Sequence, residues 1–173
     1  DLTVTADAWQ PLIDALDGSN VPPFQQLARE LDFDKDQGKF YGVGVTLEPD
    51  NWNIVFEYND ISVENSFYSD RTNYYVSAGY RFDSIQPYVV YEREDHESKD
   101  EIYAPYVDVL PSQLLLPVIG VVSGQRFDAT TVSAGIRYDF HPSAAFKIQY
   151  SSQKDKVQDI RTGLIVAGVD LVF

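Results

Sequence analysis

The sequence predicts an all-β fold, an antiparallel up-and-down transmembrane β-barrel with about eight strands in this chain. Several segments alternate bulky apolar residues with small or polar ones, which is the two-residue period of a β-strand. Short and long links between these segments alternate along the chain. The bulky side of each segment ends in an aromatic residue at or near a turn, as in the aromatic girdles of membrane barrels.

The composition is that of one folded domain spanning residues 1–173. Hydrophobic residues make up 44% of the chain and aromatic residues 14%. Cysteine is absent, which excludes disulfide bonds and thiolate metal sites. The longest apolar run, 114–122, contains Pro117 and is far shorter than the ~20 residues of a membrane-spanning helix. The net charge of −14 argues against a nucleic-acid partner, because phosphate binding needs clustered Lys and Arg.

Eight segments have about the length of a tilted strand that crosses a bilayer. They lie near 2–9, 38–47, 52–62, 72–82, 86–95, 129–140, 143–153 and 162–173. Pro, Asp and Asn mark three tight turns, at 48–51, 83–85 and 141–142. The other links are predicted to be long external loops, at 10–37, 63–71, 96–128 and 154–161. Loops 10–37 and 96–128 are the longest.

Each predicted strand has a bulky apolar face and a small or polar face. The octapeptide VSAGYRFD at 76–83 returns as VSAGIRYD at 132–139, with Ser, Gly and Arg on one side. In a membrane barrel the polar side faces the lumen and the bulky side faces lipid. The charged residues predicted to line the pore are Glu57, Arg81, Glu92, Glu94, Arg137, Asp139, Lys147 and Asp170. The predicted lipid-facing girdle and terminal signal are Trp52, Phe82, Tyr138, Phe140, Leu171 and Phe173.

The end of the chain, GLIVAGVDLVF at 163–173, resembles the C-terminal strand of Gram-negative outer-membrane β-barrels. Hairpins such as FYGVGVTLEPDNWNIVFEY resemble those of porins. The resemblance implies a location in the outer membrane of a Gram-negative bacterium. It also implies contact with outer-membrane lipid and recognition by the outer-membrane assembly machinery. A homotrimer is an expectation of the same resemblance, and no cofactor is expected.

Two barrel sizes fit the pattern. Eight strands could close into a small barrel whose interior is filled by side chains. Alternatively, this chain is the C-terminal part of a larger barrel of about sixteen strands. The larger barrel is favoured because Asp1 opens almost inside a strand and because the long loops suit a wide mouth. Inward-facing glycines also leave space that a small barrel would have to fill, namely Gly42, Gly44, Gly79, Gly135 and Gly168.

Charge placement leads to the expected function. Most of the net charge of −14 lies in the four long links, so an external mouth would be negative and would concentrate cations. We therefore expect a passive diffusion channel for small hydrophilic solutes that prefers cations. The alternative is a small closed eight-stranded barrel with a structural or adhesion role through its loops.

Two short motifs have a chemical interpretation as well as an interpretation as ordinary loops. Asp95-His96-Glu97 could imitate the acid and histidine pairs of outer-membrane proteases, but no suitable nucleophile accompanies it. No catalytic residue is assigned and the chain is not expected to be an enzyme. A weak candidate calcium loop contains Asp32, Asp34 and Asp36, but Val43 stands where an EF-hand has its Glu. No metal site is predicted.

The first long loop contains a predicted helix at 22–31. Proline stands at its start, and Phe24, Leu27, Ala28 and Leu31 follow at helical spacing. This helix either narrows the mouth or packs on the rim. Residues 107–122 are predicted to form an apolar loop that should not stand in water. The loop therefore plugs the lumen, packs against its own barrel or meets another subunit.

Overall fold

A computed structural model describes three ranges of the chain, residues 9–32, 37–64 and 66–171. The chain divides into two units. The first, the helical unit, comprises the described residues of Asp1–Phe40, Ile61–Arg71 and His96–Arg126. The second, the sheet unit, comprises those of Tyr41–Asp60, Thr72–Asp95 and Phe127–Phe173.

Seven antiparallel strands form one open sheet in the order of the chain. They are β1 (Gly38–Leu47), β2 (Trp52–Val63), β3 (Asp70–Tyr80), β4 (Ile85–Glu97), β5 (Phe127–His141), β6 (Ala144–Asp155) and β7 (Ile160–Leu171). The seven strands predicted after residue 37 are thus confirmed, with ends that shift by a few residues. The predicted strand at 2–9 lies outside the described residues apart from Trp9, as does Phe173. Strands β1 and β7 form the two edges of the sheet.

The tight turns lie at 48–51, 81–84 and 142–143, close to their predicted positions. Asp50 and Asp83 adopt φ angles of 52°, a left-handed conformation that Asp tolerates better than most residues. We refer to this edge of the sheet as the turn end. The prediction of four long external links is wrong in part, because among the described connections between strands only 98–126 is long.

The link predicted at 154–161 is a tight turn at 156–159, because β6 and β7 continue further than the apolar pattern indicates. Asp159 has a φ angle of 56° in this turn. A hydrogen bond and the positive charge of Lys154 hold the pKa of the Asp159 carboxyl below its usual range. The Asp159 carboxylate forms an ion pair with Lys154, which connects the turn to the end of β6.

The register of the last three strands aligns residues of like character. Arg137 pairs with Lys147, which pairs with Gly168, while Ile136 pairs with Ile148 and then Ala167. Because neighbouring residues along a strand point to opposite faces, charged and apolar side chains form separate rows across β5, β6 and β7. These rows define a polar face and an apolar face of the sheet.

The helical unit contains α1 (Gln10–Asp17), α2 (Pro22–Leu31) and α3 (Ser112–Val122). Short 3-10 turns occupy Asp100–Ile102, Ala104–Tyr106 and Ser123–Gln125. Helix α2 has its predicted bounds, with Pro22 at the first position, where the missing N–H costs nothing. Helices α1 and α3 were not predicted. Among the described residues, no helix combines the length and the apolar character that a membrane crossing needs.

Apolar side chains from the three helices meet in one buried core. The core consists of Ile13, Leu16, Phe24, Leu27, Ala28, Leu31, Phe67, Tyr106, Leu110, Val118, Val121 and Val122. The four residues predicted to form the apolar face of α2 are all part of it. Residues 112–122, predicted to be part of an apolar loop, form instead a helix that buries three valines in this core, despite the internal Pro117.

Candidate functional site

Strands β5 and β6 expose their apolar face and partly bury their polar face. On β5, Val132, Ile136 and Tyr138 are 54%, 47% and 45% exposed, whereas Ser133 is 1% exposed. Strand β6 repeats the pattern, with Ile148 exposed and its neighbours on the polar face less so. A one-sided sheet in water packs its bulky apolar side on a core and solvates its polar side. The burial pattern of β5 and β6 is therefore inverted, while β1 and β7 are exposed on both faces.

Side chains from β2 through β7 line a cavity of about 520 Å³ on the polar face. In a flat sheet β2 and β7 would lie about 24 Å apart, five strand spacings of ~4.8 Å. Since Asn59 of β2 and Thr162 of β7 both contribute to this cavity, the sheet curves toward its polar face. Glu92 and Glu94, both predicted to line a pore, belong to the lining.

Tyr88 crosses the polar face from β4 over β5 to β6. A Cβ added at Gly135 would lie 2.5 Å from the Tyr88 hydroxyl and 2.8 Å from the carbonyl oxygen of Ile148. The Tyr88 hydroxyl donates a hydrogen bond of 3.0 Å to Oε1 of Gln149. The expectation that inward glycines leave empty space is therefore wrong at Gly135, where the aromatic ring occupies that space. Gly79 is likewise covered, by Tyr88 and the neighbouring Gln86.

Five charged side chains form a continuous ladder at the turn end of the polar face. Asp139 Oδ2 accepts a hydrogen bond of 2.5 Å from Arg81, and its Oδ1 accepts one of 2.6 Å from Arg137 Nε. Asp170 Oδ2 lies 3.5 Å from Arg137 Nη1 and 2.7 Å from Lys147 Nζ. We call this set the charge ladder. The structure thus brings together five of the eight residues predicted to line a pore.

The remaining three predicted residues lie apart from the ladder. Glu92 and Glu94 line the cavity, and Glu57 lies close enough to the Tyr75 side chain for their charges to interact. In the described part of the chain, no ion pair involves Glu57 or Glu92. The polar face therefore has acidic residues around the cavity and a ladder with an excess of bases at the turn end.

Aromatic residues gather at the turn end of the apolar face. Trp52 packs edge-on against Tyr80 with ring centroids 5.1 Å apart, and Tyr80 lies 4.6 Å from Phe82. Tyr138 and Phe140 form a second pair, 6.2 Å apart. The predicted girdle residues in the described chain are all exposed, namely Trp52, Phe82, Tyr138, Phe140 and Leu171. Phe173 lies outside the described residues.

The two short motifs, at 32–36 and 95–97, are described in part. In the described ranges, no group of three or more His, Asp or Glu residues could hold a metal ion. Asp32 follows the last residue of α2, while Asp34 and Asp36 of the candidate calcium loop lie outside the described residues. His96 is part of β4, and the preceding Asp95 accepts a hydrogen bond of 3.0 Å from Arg93.

Comparison with known proteins finds no family model that matches the chain, no similar curated protein and no similar solved structure. The two faces of the sheet are therefore the features of this protein that bear on its function.

Proposed function

We propose that the sheet belongs to a β-barrel in the outer membrane of a Gram-negative bacterium and forms part of the wall of a passive diffusion channel. The apolar face contacts lipid, and the polar face lines a path for small hydrophilic solutes, with a preference for cations. The observation that carries this proposal is the inverted burial of β5 and β6, with bulky residues such as Val132 and Ile136 exposed and Ser133 buried.

The energetic argument favours hydrocarbon over water around the apolar face. Removing one bulky side chain from water stabilises a protein by about 1.5–3 kcal/mol, and rows of such side chains are exposed on β5, β6 and β7. A lipid bilayer removes this whole surface from water without another protein layer. Charged residues of the ladder remain on the opposite face, where water can solvate them.

Strand length and aromatic placement support the same orientation. Among the described strands, β1 is the shortest with 10 residues and β5 the longest with 15. A tilted strand crosses a bilayer with ~9–11 residues, so each strand is long enough to cross. Trp and Tyr favour the interface between lipid and water because their rings are apolar and their tips are polar. The aromatic cluster around Trp52 and Tyr80 supports an interface at the turn end.

The alternative function is that of a small closed barrel with a structural or adhesion role. The contact of Tyr88 with Gly135 and the charge ladder both favour it, because side chains there fill the polar face as they fill the interior of a small barrel. The cavity of about 520 Å³ favours the channel. Planar-bilayer recording separates the two, since defined single-channel steps support the channel and their absence supports the closed barrel.

The membrane orientation can be tested with single cysteine variants, because the chain has no cysteine of its own. Ile136→Cys and Ile148→Cys place a thiol on the apolar face, and Ser151→Cys places one on the polar face of β6. Each thiol is labelled with an environment-sensitive fluorophore after reconstitution into vesicles. We expect lipid-attached nitroxides to quench the first two labels and aqueous iodide to quench the third.

The reverse quenching pattern would contradict the proposal. So would purification of the wild-type chain without detergent as a water-soluble monomer, because the exposed apolar face would then have no lipid to cover it. Asp159→Cys in the turn between β6 and β7 serves as a control that water reaches in either case, since Asp159 is exposed.

A further inference from the structure

The cavity on the polar face has the size of a small-molecule site. Its volume of about 520 Å³ lies within the ~300–1,000 Å³ typical of ligand pockets. All of its lining residues belong to the sheet unit. They include amides, hydroxyls and carboxylates together with Tyr74, Tyr75 and Leu164, so a ligand here would meet both polar and apolar groups.

Two carboxylates stand among the amides and hydroxyls of the lining. Glu92 and Glu94 contribute carboxylates, and a carboxylate only accepts hydrogen bonds. Oδ1 of Asn73 is buried and accepts no hydrogen bond from any described group. A buried acceptor without a partner costs about 1–3 kcal/mol, so a donor group that reached Asn73 Oδ1 would be stabilised.

The residues that line the cavity carry an excess of negative charge. Arg93 is the one Lys or Arg among the described lining residues. Its guanidinium is already engaged outside the lining, because Nη2 lies 3.0 Å from Asp95 and Nη1 forms an ion pair with Asp128. Arg93 is therefore balanced by acids that do not line the cavity. A neutral sugar would satisfy the amides but would leave the charge of Glu92 without a counterion.

We propose that this cavity is a binding site for small organic cations, solutes that carry an ammonium or a guanidinium group. Such groups donate several hydrogen bonds and carry a charge opposite to that of the lining carboxylates. Tyr75 also lines the cavity, and a cation over the face of its ring would gain a cation–π contact. The inference rests on the proposed function, in which the polar face lines the solute path, and it names the class of solute.

The probe is agmatine, which has an ammonium and a guanidinium group. Agmatine is titrated into the detergent-solubilised full chain at low salt, and binding is measured by calorimetry. Sorbitol is the neutral comparison. We expect one agmatine per chain, no measurable sorbitol binding, and at least tenfold weaker agmatine binding for Glu92→Gln/Glu94→Gln. Glu48→Gln, which changes an acidic residue at the turn end outside the cavity, should bind like the wild type.

Two further measurements keep the outcome decisive. Circular dichroism establishes that each variant keeps its strand content, and Asn73→Leu removes the buried acceptor without changing the charge. We expect Asn73→Leu to weaken agmatine binding several-fold. Equal losses for Glu48→Gln and the double variant would indicate attraction to the overall charge and would overturn the site, as would sorbitol binding comparable to that of agmatine.

Channel recording separates a failure of this site from a failure of the channel. Agmatine binding in detergent without any conductance in planar bilayers would retain the site and reject the channel. Conductance steps with no agmatine binding to the wild type would retain the channel and reject the site.

Discussion

At Gly135 the missing side chain lets the Tyr88 ring rest on the backbone of β5. The hydroxyl of this ring reaches Gln149 on the next strand, so one aromatic residue connects three strands on the polar face. Gly168 lies on the same face of β7, but a Cβ added there would have no described neighbour within 4 Å. The two glycines therefore differ in what a methyl group would meet.

Gly135→Ala should destabilise the sheet, while Gly168→Ala should change its stability little. The new methyl group at residue 135 meets both the movable Tyr88 side chain and the fixed carbonyl of Ile148, and overpacking of this kind costs about 1–3 kcal/mol. Urea unfolding in detergent micelles, followed by tryptophan fluorescence, measures the difference. Equal stabilities of the two variants would show that the Tyr88 contact does not constrain β5.

The face of each charged residue could be predicted from the sequence, but its partners could not. The two-residue period alone places Arg81, Arg137 and Lys147 on one face of the sheet. Arg137 and Asp139 are two residues apart on β5, but the ion pairs of Arg81 with Asp139 and of Asp170 with Arg137 and Lys147 depend on the register between strands. The Tyr88 contact requires the register of three strands at once, so no local pattern indicates it.

Helix α3 shows how tertiary packing outweighs a local signal. Pro117 within 112–122 reads as a helix breaker, with a cost of about 3 kcal/mol in a helix interior. Val118, Val121 and Val122 nevertheless follow at helical spacing, and their burial in the helical core offsets that cost. Helix α1 is not evident from the sequence because its two buried residues, Ile13 and Leu16, give too short a pattern to recognise.

The ends of β6 and β7 escape prediction for a different reason. Lys154 and Asp155 pair with Thr130 and Ala129 of β5, yet these polar strand ends show no apolar alternation. Helix α2 was predictable because proline begins it and four apolar residues repeat with the helical period over its whole length. Elements with a long periodic face are thus readable from sequence, and polar extensions are not.

Leu27→Ala should lower the stability of the helical unit far more than Leu116→Ala. Leu27 of α2 is fully buried, whereas Leu116 of α3 is 66% exposed, so the same chemical change creates a cavity only in the first case. Buried Leu→Ala substitutions cost about 2–5 kcal/mol. Hydrogen exchange of the helical amides measures the local effect. Similar protection in both variants would contradict the buried core.

At the scale of the whole molecule, charge is distributed unevenly over the polar face. The ladder contains three bases and two acids, while the lining of the cavity contains two carboxylates and an arginine whose guanidinium is engaged outside the lining. A solute that moves along this face would therefore pass regions of opposite potential. Salt should weaken both regions, because the Debye length falls to ~10 Å at 0.1 M.

Arg81→Ser/Arg137→Ser should make the proposed channel more selective for cations, since it turns the net charge of the ladder from positive to negative. The reversal potential in a potassium chloride gradient measures this change, and the shift should shrink as salt rises. Arg161→Ser is the matched control, because Arg161 bonds to Ser152 at the other end of β7. An unchanged reversal potential in the double variant would remove the ladder from the conduction path.

The directions of the two edge strands limit how the sheet can close into a barrel. Because successive strands reverse direction, β1 and β7 of the described sheet point the same way. Both edges present backbone amides and carbonyls. Each such group left without a partner in hydrocarbon costs several kcal/mol. Joining these two strands directly would create a parallel seam. A fully antiparallel cylinder therefore requires an odd number of additional strands between them, whatever chain supplies those strands.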